Sequence, residues 1–197
     1  MNENYRNFFG LKNEPFGADI AMQDILPTDQ LIDTTTRLDY VIRLGAVGLV
    51  TGEVGSGKST AIRYAEGNLH PSAYRSIYVT ALSGSIMEFY RQLLSELSIH
   101  RSSNSKTTML RLIKKEITDL VLEKKLKVVL IVDEASLMRL EAFAELHTIC
   151  QFEKDSKPYL SIILAGQNNL IDKLSYRSSQ PLASRIVARS HLKATSL

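Results

Sequence analysis

The sequence contains no tryptophan, a single cysteine and no long hydrophobic run. Every apolar stretch falls well short of the roughly 20 residues that a membrane-spanning helix needs, and the polar start MNENYRN lacks the apolar segment of a signal peptide. Cys150 alone cannot form an intrachain disulfide, and the four histidines have no metal-ligand spacing. These absences predict a cytoplasmic protein without membrane insertion and without a zinc centre.

Length and composition favour one ordinary globular domain. The chain has 197 residues, of which 44% are hydrophobic and 23% are charged, and its formal net charge is +3. We expect a single domain over residues 1–197, with an N-terminal segment and first helix in 1–44 and an α/β core in 45–197. Because the net charge is small, binding to nucleic acid would require a local basic patch.

Short apolar runs alternate with longer amphipathic ones along the chain. The runs predicted as strands are Val47–Thr51, Ser76–Thr80, Val128–Val132, Tyr159–Ala165 and roughly Ile186–Leu192. Apolar residues at helical spacing follow in 86–97, 110–121 and 143–150, and we assign these stripes to the core. Strands alternating with helices predict a three-layer α/β domain with a parallel sheet.

A glycine-rich motif follows the first predicted strand and matches G-x-x-x-x-G-K-[ST], the Walker A or P-loop pattern. Its residues are Gly52, Glu53, Val54, Gly55, Ser56, Gly57, Lys58, Ser59 and Thr60. Glycines let the backbone approach a phosphate closely, and amides at a helix start point at its oxygens. Lys58 is predicted to contact the β- and γ-phosphates of ATP, and the Ser59 hydroxyl to bind Mg²⁺. The alternative is a glycine-rich turn that matches by chance.

A second signature is the buried run Val128–Val132 followed by two acids. Ligands bind at the carboxyl ends of strands in parallel sheets. We expect Asp133 to hold the Mg²⁺ through its water shell and Glu134 to polarise the attacking water. Acids at strand ends also serve solvation alone, but the Walker A motif upstream favours the functional interpretation.

Two further polar residues stand next to predicted strands. Gln167 follows the fourth strand and is a candidate for sensing the γ-phosphate and orienting water, with a turn residue as the alternative. Arg185 precedes the fifth strand and is a candidate arginine finger, supplied to the ATP of a neighbouring subunit, with a surface ion pair as the alternative.

Taken in order, these motifs and the opening segment Tyr5–Phe16 resemble the ExeA-type AAA+ ATPases. That group includes the general secretion pathway protein A and ATPase partners of transposases similar to TnsC and MuB. The resemblance implies a P-loop NTPase (AAA+) sheet of order 5-1-4-3-2. It also implies an N-terminal aromatic segment near the adenine, and a homo-oligomeric ring or filament with ATP between subunits.

The chain departs from that family pattern at three places. Ser136 stands where the family usually has the histidine of DEAH, and Cys150-Gln151 precede Phe152 where relatives often have asparagine. The sequence stops at Leu197, just after the fifth predicted strand, so the C-terminal helical lid is expected to be absent, either in a lidless variant or through truncation. Without a lid, the site should be wetter and turnover by the isolated chain weak.

Several functions are compatible with these motifs. The first is an ATP-dependent regulator that assembles on double-stranded DNA and presents it to a transposase. The alternatives are a secretion-pathway ATPase, a small-molecule kinase and a nucleotide switch with negligible hydrolysis. The candidate DNA contacts are Arg101, Lys106, Lys114 and Lys115, each of which has an ordinary solvated charge as its alternative.

Overall fold

The structure, a computed structural model, describes residues 3–11, 20–100 and 104–193. The five strands are β1 Val47–Gly52, β2 Tyr74–Thr80, β3 Lys127–Asp133, β4 Leu160–Gly166 and β5 Ile186–Leu192. The helices in the described ranges are α1 Glu3–Phe9, α2 Asp29–Leu44, α3 Lys58–Gly67, α4 Ile86–Glu96, α5 Lys106–Leu122, α6 Leu140–Cys150, α7 Asn169–Ser175 and α8 Gln180–Ala183. All pairings in the sheet are parallel and the order is β2-β3-β4-β1-β5. The predicted fold class and strand order are therefore confirmed.

Burial along the strands follows from this order. The central strands β1 and β4 are buried at every position, as is β3 after its first residue. The edge strands β2 and β5 alternate buried and more exposed positions. Near-continuous apolar runs such as VVLIV are needed where helices cover both faces of a sheet.

The core is divided by the sheet into two clusters. Helices α2 and α3 pack on one face, where their apolar side chains meet those of Val129, Ile131 and Ile163. On the other face α4, α5 and α6 contribute their predicted apolar stripes around Val128, Leu130 and Leu164. This arrangement confirms the three-layer architecture. In the described part of the chain, none of the helices is long and apolar enough to cross a membrane.

Cys150 lies in the second of these clusters, at the end of α6. Burial raises the pKa of its thiol to about 12. A thiol that keeps its proton is a poor nucleophile, so Cys150 acts here as a small apolar side chain.

Strand order brings the sequence motifs to one edge of the sheet. Because β1 lies between β4 and β5, and β3 lies beside β4, the carboxyl ends of β1, β3 and β4 are neighbours. Thr51 is opposite Gly166, and Val132 is opposite Leu164. The residues that follow these strands, from the glycine-rich loop to Gln167, therefore emerge side by side.

Candidate active site

The glycine-rich loop joins β1 to α3 and requires glycine at particular positions. Gly55 and Gly57 have φ angles of 80° and 85°, and Gly57 is the residue that caps α3. A Cβ atom at Gly52 would lie 2.4 Å from the carbonyl oxygen of Leu192 and 2.4 Å from the Oγ of Ser56. Positive φ angles are unfavourable for residues that have a side chain, and the close contacts at Gly52 leave no room for one. The loop geometry therefore explains the glycine spacing.

Lys58 turns its ammonium group back onto the same loop. Its Nζ donates to the carbonyl oxygens of Gly52 at 3.0 Å and Glu53 at 2.7 Å. The residue is 7% exposed, and both of these acceptors are neutral. A buried cation held by neutral carbonyls gains much from an anion placed beside it. An anion beside this loop would therefore be stabilised, and phosphate binding here stays a prediction.

The Asp133 carboxylate receives hydrogen bonds from three elements. Its Oδ2 accepts from the Ser59 hydroxyl at 3.0 Å and from the Tyr78 hydroxyl at 2.6 Å, and its Oδ1 accepts from the Glu134 amide at 2.8 Å. Asp133 is 5% exposed. The predicted metal ligands, Ser59 and Asp133, are therefore adjacent.

Tyr78 was not identified from the sequence as a site residue. Burial and then its hydrogen bond to Asp133 raise the pKa of its phenol, so the hydroxyl keeps its proton and acts as the donor. In the sequence, Tyr78 is one residue of an apolar strand, and its spacing gave no signal of a contact with a residue 55 positions later.

Glu134 begins the loop after β3 in a left-handed conformation, with φ 52°. Lys173 of α7 holds this loop by donating to the carbonyl oxygens of Ser136 at 2.6 Å and Met138 at 2.7 Å. Ser136, which replaces the histidine of the family pattern, is buried and packs closely on Gly166. Lys173 thus fixes the segment that carries Glu134, a second contact that the sequence did not indicate.

Gln167 lies directly after β4, at the same edge as the glycine-rich loop. Its carbonyl oxygen accepts from the Leu170 amide in the turn that starts α7. The next residue, Asn168, donates from its side-chain amide to Glu53 Oε1 at 2.5 Å. The turn after β4 is therefore tied to the loop, and sensing by Gln167 stays a prediction.

Arg185 lies at the opposite edge of the sheet. Its carbonyl oxygen accepts from the Val47 amide at the start of β1, five residues and about 16 Å from Gly52 at the usual strand rise. Its guanidinium binds the carboxylate of Asp155, and this hydrogen bond lowers the pKa of Asp155. Within one chain, the structure does not bring Arg185 to the other site residues, and its role as a finger stays a prediction.

The turn that presents Asp155 is left-handed at three successive residues. Glu153, Lys154 and Asp155 have φ angles of 45°, 58° and 68°. A left-handed conformation costs about 1–2 kcal/mol for a residue with a side chain. The ion pair with Arg185 therefore depends on an unfavourable backbone conformation.

The described lysines among the candidate DNA contacts have acceptors in their own chain. Lys114 donates to the carbonyl oxygen of Gln151 at 2.7 Å and lies over the Phe152 ring, 5.5 Å from its centroid. Burial lowers the pKa of its ammonium group. Lys114 therefore has a structural role at the end of α6.

Lys106 and Lys115 are paired with acids. Lys106 binds Glu145, and Lys115 binds Asp119 one turn away at 2.5 Å. The side chain of Lys115 is 71% exposed, so its ammonium group remains accessible to solvent. Arg101 lies outside the described residues. A DNA interface formed by these residues stays a prediction.

A cavity of about 490 Å³ opens beside the glycine-rich loop. Its walls are residues 25, 26 and 28–31, the loop residues Ser56 and Gly57, the start of α3 and the end of β5. This cavity is mixed in polarity and adjoins the predicted phosphate site, as a pocket for a base and sugar would. The predicted place of the aromatic segment near the adenine stays a prediction, and residues 12–16 of that segment lie outside the described ranges.

The family model that matches the chain describes an AAA domain and covers residues 42–174. Among curated proteins, the chain is 28% identical over 190 residues to the general secretion pathway protein A of Aeromonas hydrophila. That match covers 95% of the chain and 34% of the relative, so the chain spans about a third of that relative's length.

Solved structures of low identity have the same fold. The ORC2 protein of Aeropyrum pernix in its ADP form has a TM-score of 0.63 at 14% identity, with 97% of the chain and 53% of that protein covered. Cdc6p from Pyrobaculum aerophilum has a TM-score of 0.62 at 15% identity, with 93% and 48% covered. The ORC1 protein of Aeropyrum pernix in complex with DNA has a TM-score of 0.62 at 12% identity, with 89% and 47% covered.

Proposed function

Because the chain belongs to the AAA domain family, we propose that it is an ATPase domain of the ExeA-like type, which binds ATP with Mg²⁺ at residues 52–60 and hydrolyses it with Glu134. The observation that carries this proposal is the buried pair of charges at one sheet edge. The Lys58 ammonium is held only 2.7–3.0 Å from neutral loop carbonyls, and the Asp133 carboxylate lies within 3.0 Å of the Ser59 hydroxyl.

The side chains present fit a hard divalent cation. Mg²⁺ prefers oxygen ligands and is usually bound by one or two protein oxygens together with phosphates and water. Ser59 Oγ would be a direct ligand, while Asp133 would accept from the water shell and from Ser59 itself. The cation supplies neutralisation of the phosphate charge as the bond to the leaving group breaks.

The residues of the chain divide the chemistry among them. Lys58 exchanges its two carbonyl acceptors for phosphate oxygens, and the loop amides and the start of α3 complete the cradle. Glu134 polarises the attacking water, and Gln167 orients that water against the γ-phosphate. Arg185 of a neighbouring copy neutralises charge in the transition state.

Lys58→Ala tests the nucleotide proposal. Two charge-assisted hydrogen bonds contribute about 1.5–3 kcal/mol each, so the dissociation constant for a non-hydrolysable ATP analogue should rise about 10²- to 10⁴-fold. Calorimetry with Mg²⁺ present measures this constant, and the exposed Lys124→Ala is the matched control. Wild-type affinity in Lys58→Ala, or no analogue binding by the wild type, would refute the proposal.

Oligomerisation is part of the proposal because Arg185 lies at the far sheet edge from its own loop. Turnover should be weak in dilute protein and should rise with protein concentration more steeply than in proportion. Fast turnover by the dilute monomer would contradict this part.

For the partner, we propose an ATP-dependent assembly on double-stranded DNA that serves a transposase in the cytoplasm. The exposed Lys115 supports a non-specific phosphate contact, and one protein of the same fold was solved with DNA. The alternative is a secretion-pathway role, which the identity to the general secretion pathway protein A favours.

Electron microscopy of the chain with ATP analogue, with and without double-stranded DNA, separates these alternatives. DNA-dependent rings or filaments that dissociate as salt is raised support the first proposal, because phosphate contacts are weakened by salt. Assembly that is indifferent to DNA favours the secretion role.

A further inference from the structure

The phenol of Tyr78 reaches the candidate metal site from a strand that carries no nucleotide-binding motif. Tyr78 belongs to the edge strand β2, where it is opposite Ile131 of β3. Asp133 lies two residues beyond Ile131, so both side chains are on the same face of the sheet. The half-buried ring runs along this face, and its hydroxyl ends 2.6 Å from Asp133 Oδ2.

Tyr78 and Ser59 donate to the same carboxylate oxygen. Ser59 approaches Oδ2 from the start of α3 at 3.0 Å, while the Glu134 amide occupies Oδ1 at 2.8 Å. The Glu134 and Tyr78 contacts together fix the plane of the carboxylate from its own strand and from the neighbouring one. In this plane Oδ2 faces Ser59.

The orientation matters for a hydroxyl that binds a metal. A hydroxyl that gives a lone pair to a cation keeps its proton, which needs an acceptor on the other side. Asp133 Oδ2 is that acceptor. Hydrogen bonds that orient metal-ligating groups typically contribute a factor of about 10–100 to metal affinity or activity.

We propose that Tyr78 is a positioning residue for the divalent cation of this site, acting through its hydrogen bond to Asp133. The inference rests on the proposed function, since it specifies how the same site binds its metal. A purely structural role, in which Tyr78 joins β2 to β3, predicts loss of stability without a change in metal dependence.

The test is a Mg²⁺ titration of ATP-analogue binding by the full chain carrying Tyr78→Phe. We expect the Mg²⁺ concentration at half-maximal binding to rise about 10- to 100-fold. Analogue affinity measured in a chelator should not change, because the phenol hydroxyl is bonded to Asp133 and not to the glycine-rich loop. Turnover at low Mg²⁺ should fall and should recover when Mg²⁺ is raised.

Tyr74→Phe is the matched control, since Tyr74 is a half-buried tyrosine on the same strand and the same face. It should keep the wild-type Mg²⁺ midpoint. Urea unfolding of each variant shows that the protein titrated is folded.

The outcomes separate the inference from the function on which it rests. A Tyr78→Phe protein that is less stable but has an unchanged Mg²⁺ midpoint would overturn the positioning role, as would equal shifts of the midpoint in Tyr78→Phe and Tyr74→Phe. A wild-type protein without Mg²⁺-dependent analogue binding would instead refute the proposed function.

Discussion

At the carboxyl edge of the sheet, charged side chains are buried and bound from several elements, whereas at the amino edge the pair of Arg185 and Asp155 is partly in solvent. Asp133 is contacted from β2, α3 and its own loop, and Lys58 is enclosed by the glycine-rich loop. The side chains of Arg185 and Asp155 are 29% and 44% exposed.

The difference has energetic consequences. A buried charge that loses its hydrogen-bond partners strongly destabilises the protein. The hydrogen bonds of Lys58 and Asp133 should therefore stay as they are until a ligand replaces their partners. An exposed ion pair contributes only about 0–1 kcal/mol. Arg185 can therefore exchange Asp155 for another anion at small cost, as a group offered to a neighbouring molecule must.

Arg185→Ala should lower turnover severely, and unchanged turnover would contradict the difference between the two sheet edges. Arginine fingers contribute about 10³- to 10⁵-fold to turnover, so phosphate release by the assembled protein should fall by that order. Analogue affinity of the dilute chain should stay at its wild-type value, because Arg185 is remote from its own loop. The control is Arg177→Ala, which removes an exposed arginine before α8.

An equal, small loss in Arg185→Ala and Arg177→Ala would assign Arg185 to a surface ion pair alone. The ion pair at the amino edge would then have only a structural role, and another residue would have to supply the positive charge that stabilises the transition state.

Glu134→Gln tests the carboxyl edge with a smaller expected effect. Loss of a general base usually lowers turnover about 10²- to 10⁴-fold. The amide is nearly isosteric, so analogue affinity should stay within a few-fold of wild type. Phosphate release under single turnover, together with calorimetry, checks both quantities, and unchanged release would exclude Glu134 as the base.

Lys154→Gly should change the free energy of unfolding only slightly, and it tests whether the left-handed turn at the amino edge is strained. Glycine accepts the left-handed conformation, which relieves about 1–2 kcal/mol of backbone strain, against about 0.5–1 kcal/mol of added entropy in the unfolded chain. The free energy of unfolding in urea should therefore rise slightly. Lys115→Gly, within helix α5, should lower it by about 1 kcal/mol.

A loss of stability in Lys154→Gly would show that the turn is not strained by its conformation. An unchanged analogue affinity in the same variant is expected, because the turn and the glycine-rich loop are at opposite sheet edges.

The elements that sequence predicted best are those whose signal is local. The run VVLIV is apolar at every position because β3 is covered on both faces, and the spacing of Gly52, Gly55 and Gly57 reflects close approach and positive φ within six residues. The order of the strands came from family resemblance, since periodicity does not encode which strand pairs with which.

The contacts that sequence missed join residues far apart in the chain. In the sequence, Tyr78 looks like any other tyrosine in an apolar strand. Only the register between β2 and β3 brings its hydroxyl to Asp133. Lys173 was one basic residue in a short helix, although it holds the loop after Glu134. Asp155 pairs with Arg185 because a left-handed turn presents its carboxylate, and this turn contains no glycine that would have indicated it.

The close approach at Gly52 links the glycine-rich loop to the last strand mechanically. The Leu192 carbonyl occupies the volume that a side chain at Gly52 would need, so the end of β5 bears directly on the loop backbone. Any side chain introduced at Gly52 would therefore have to displace the end of the last strand as well as the loop itself.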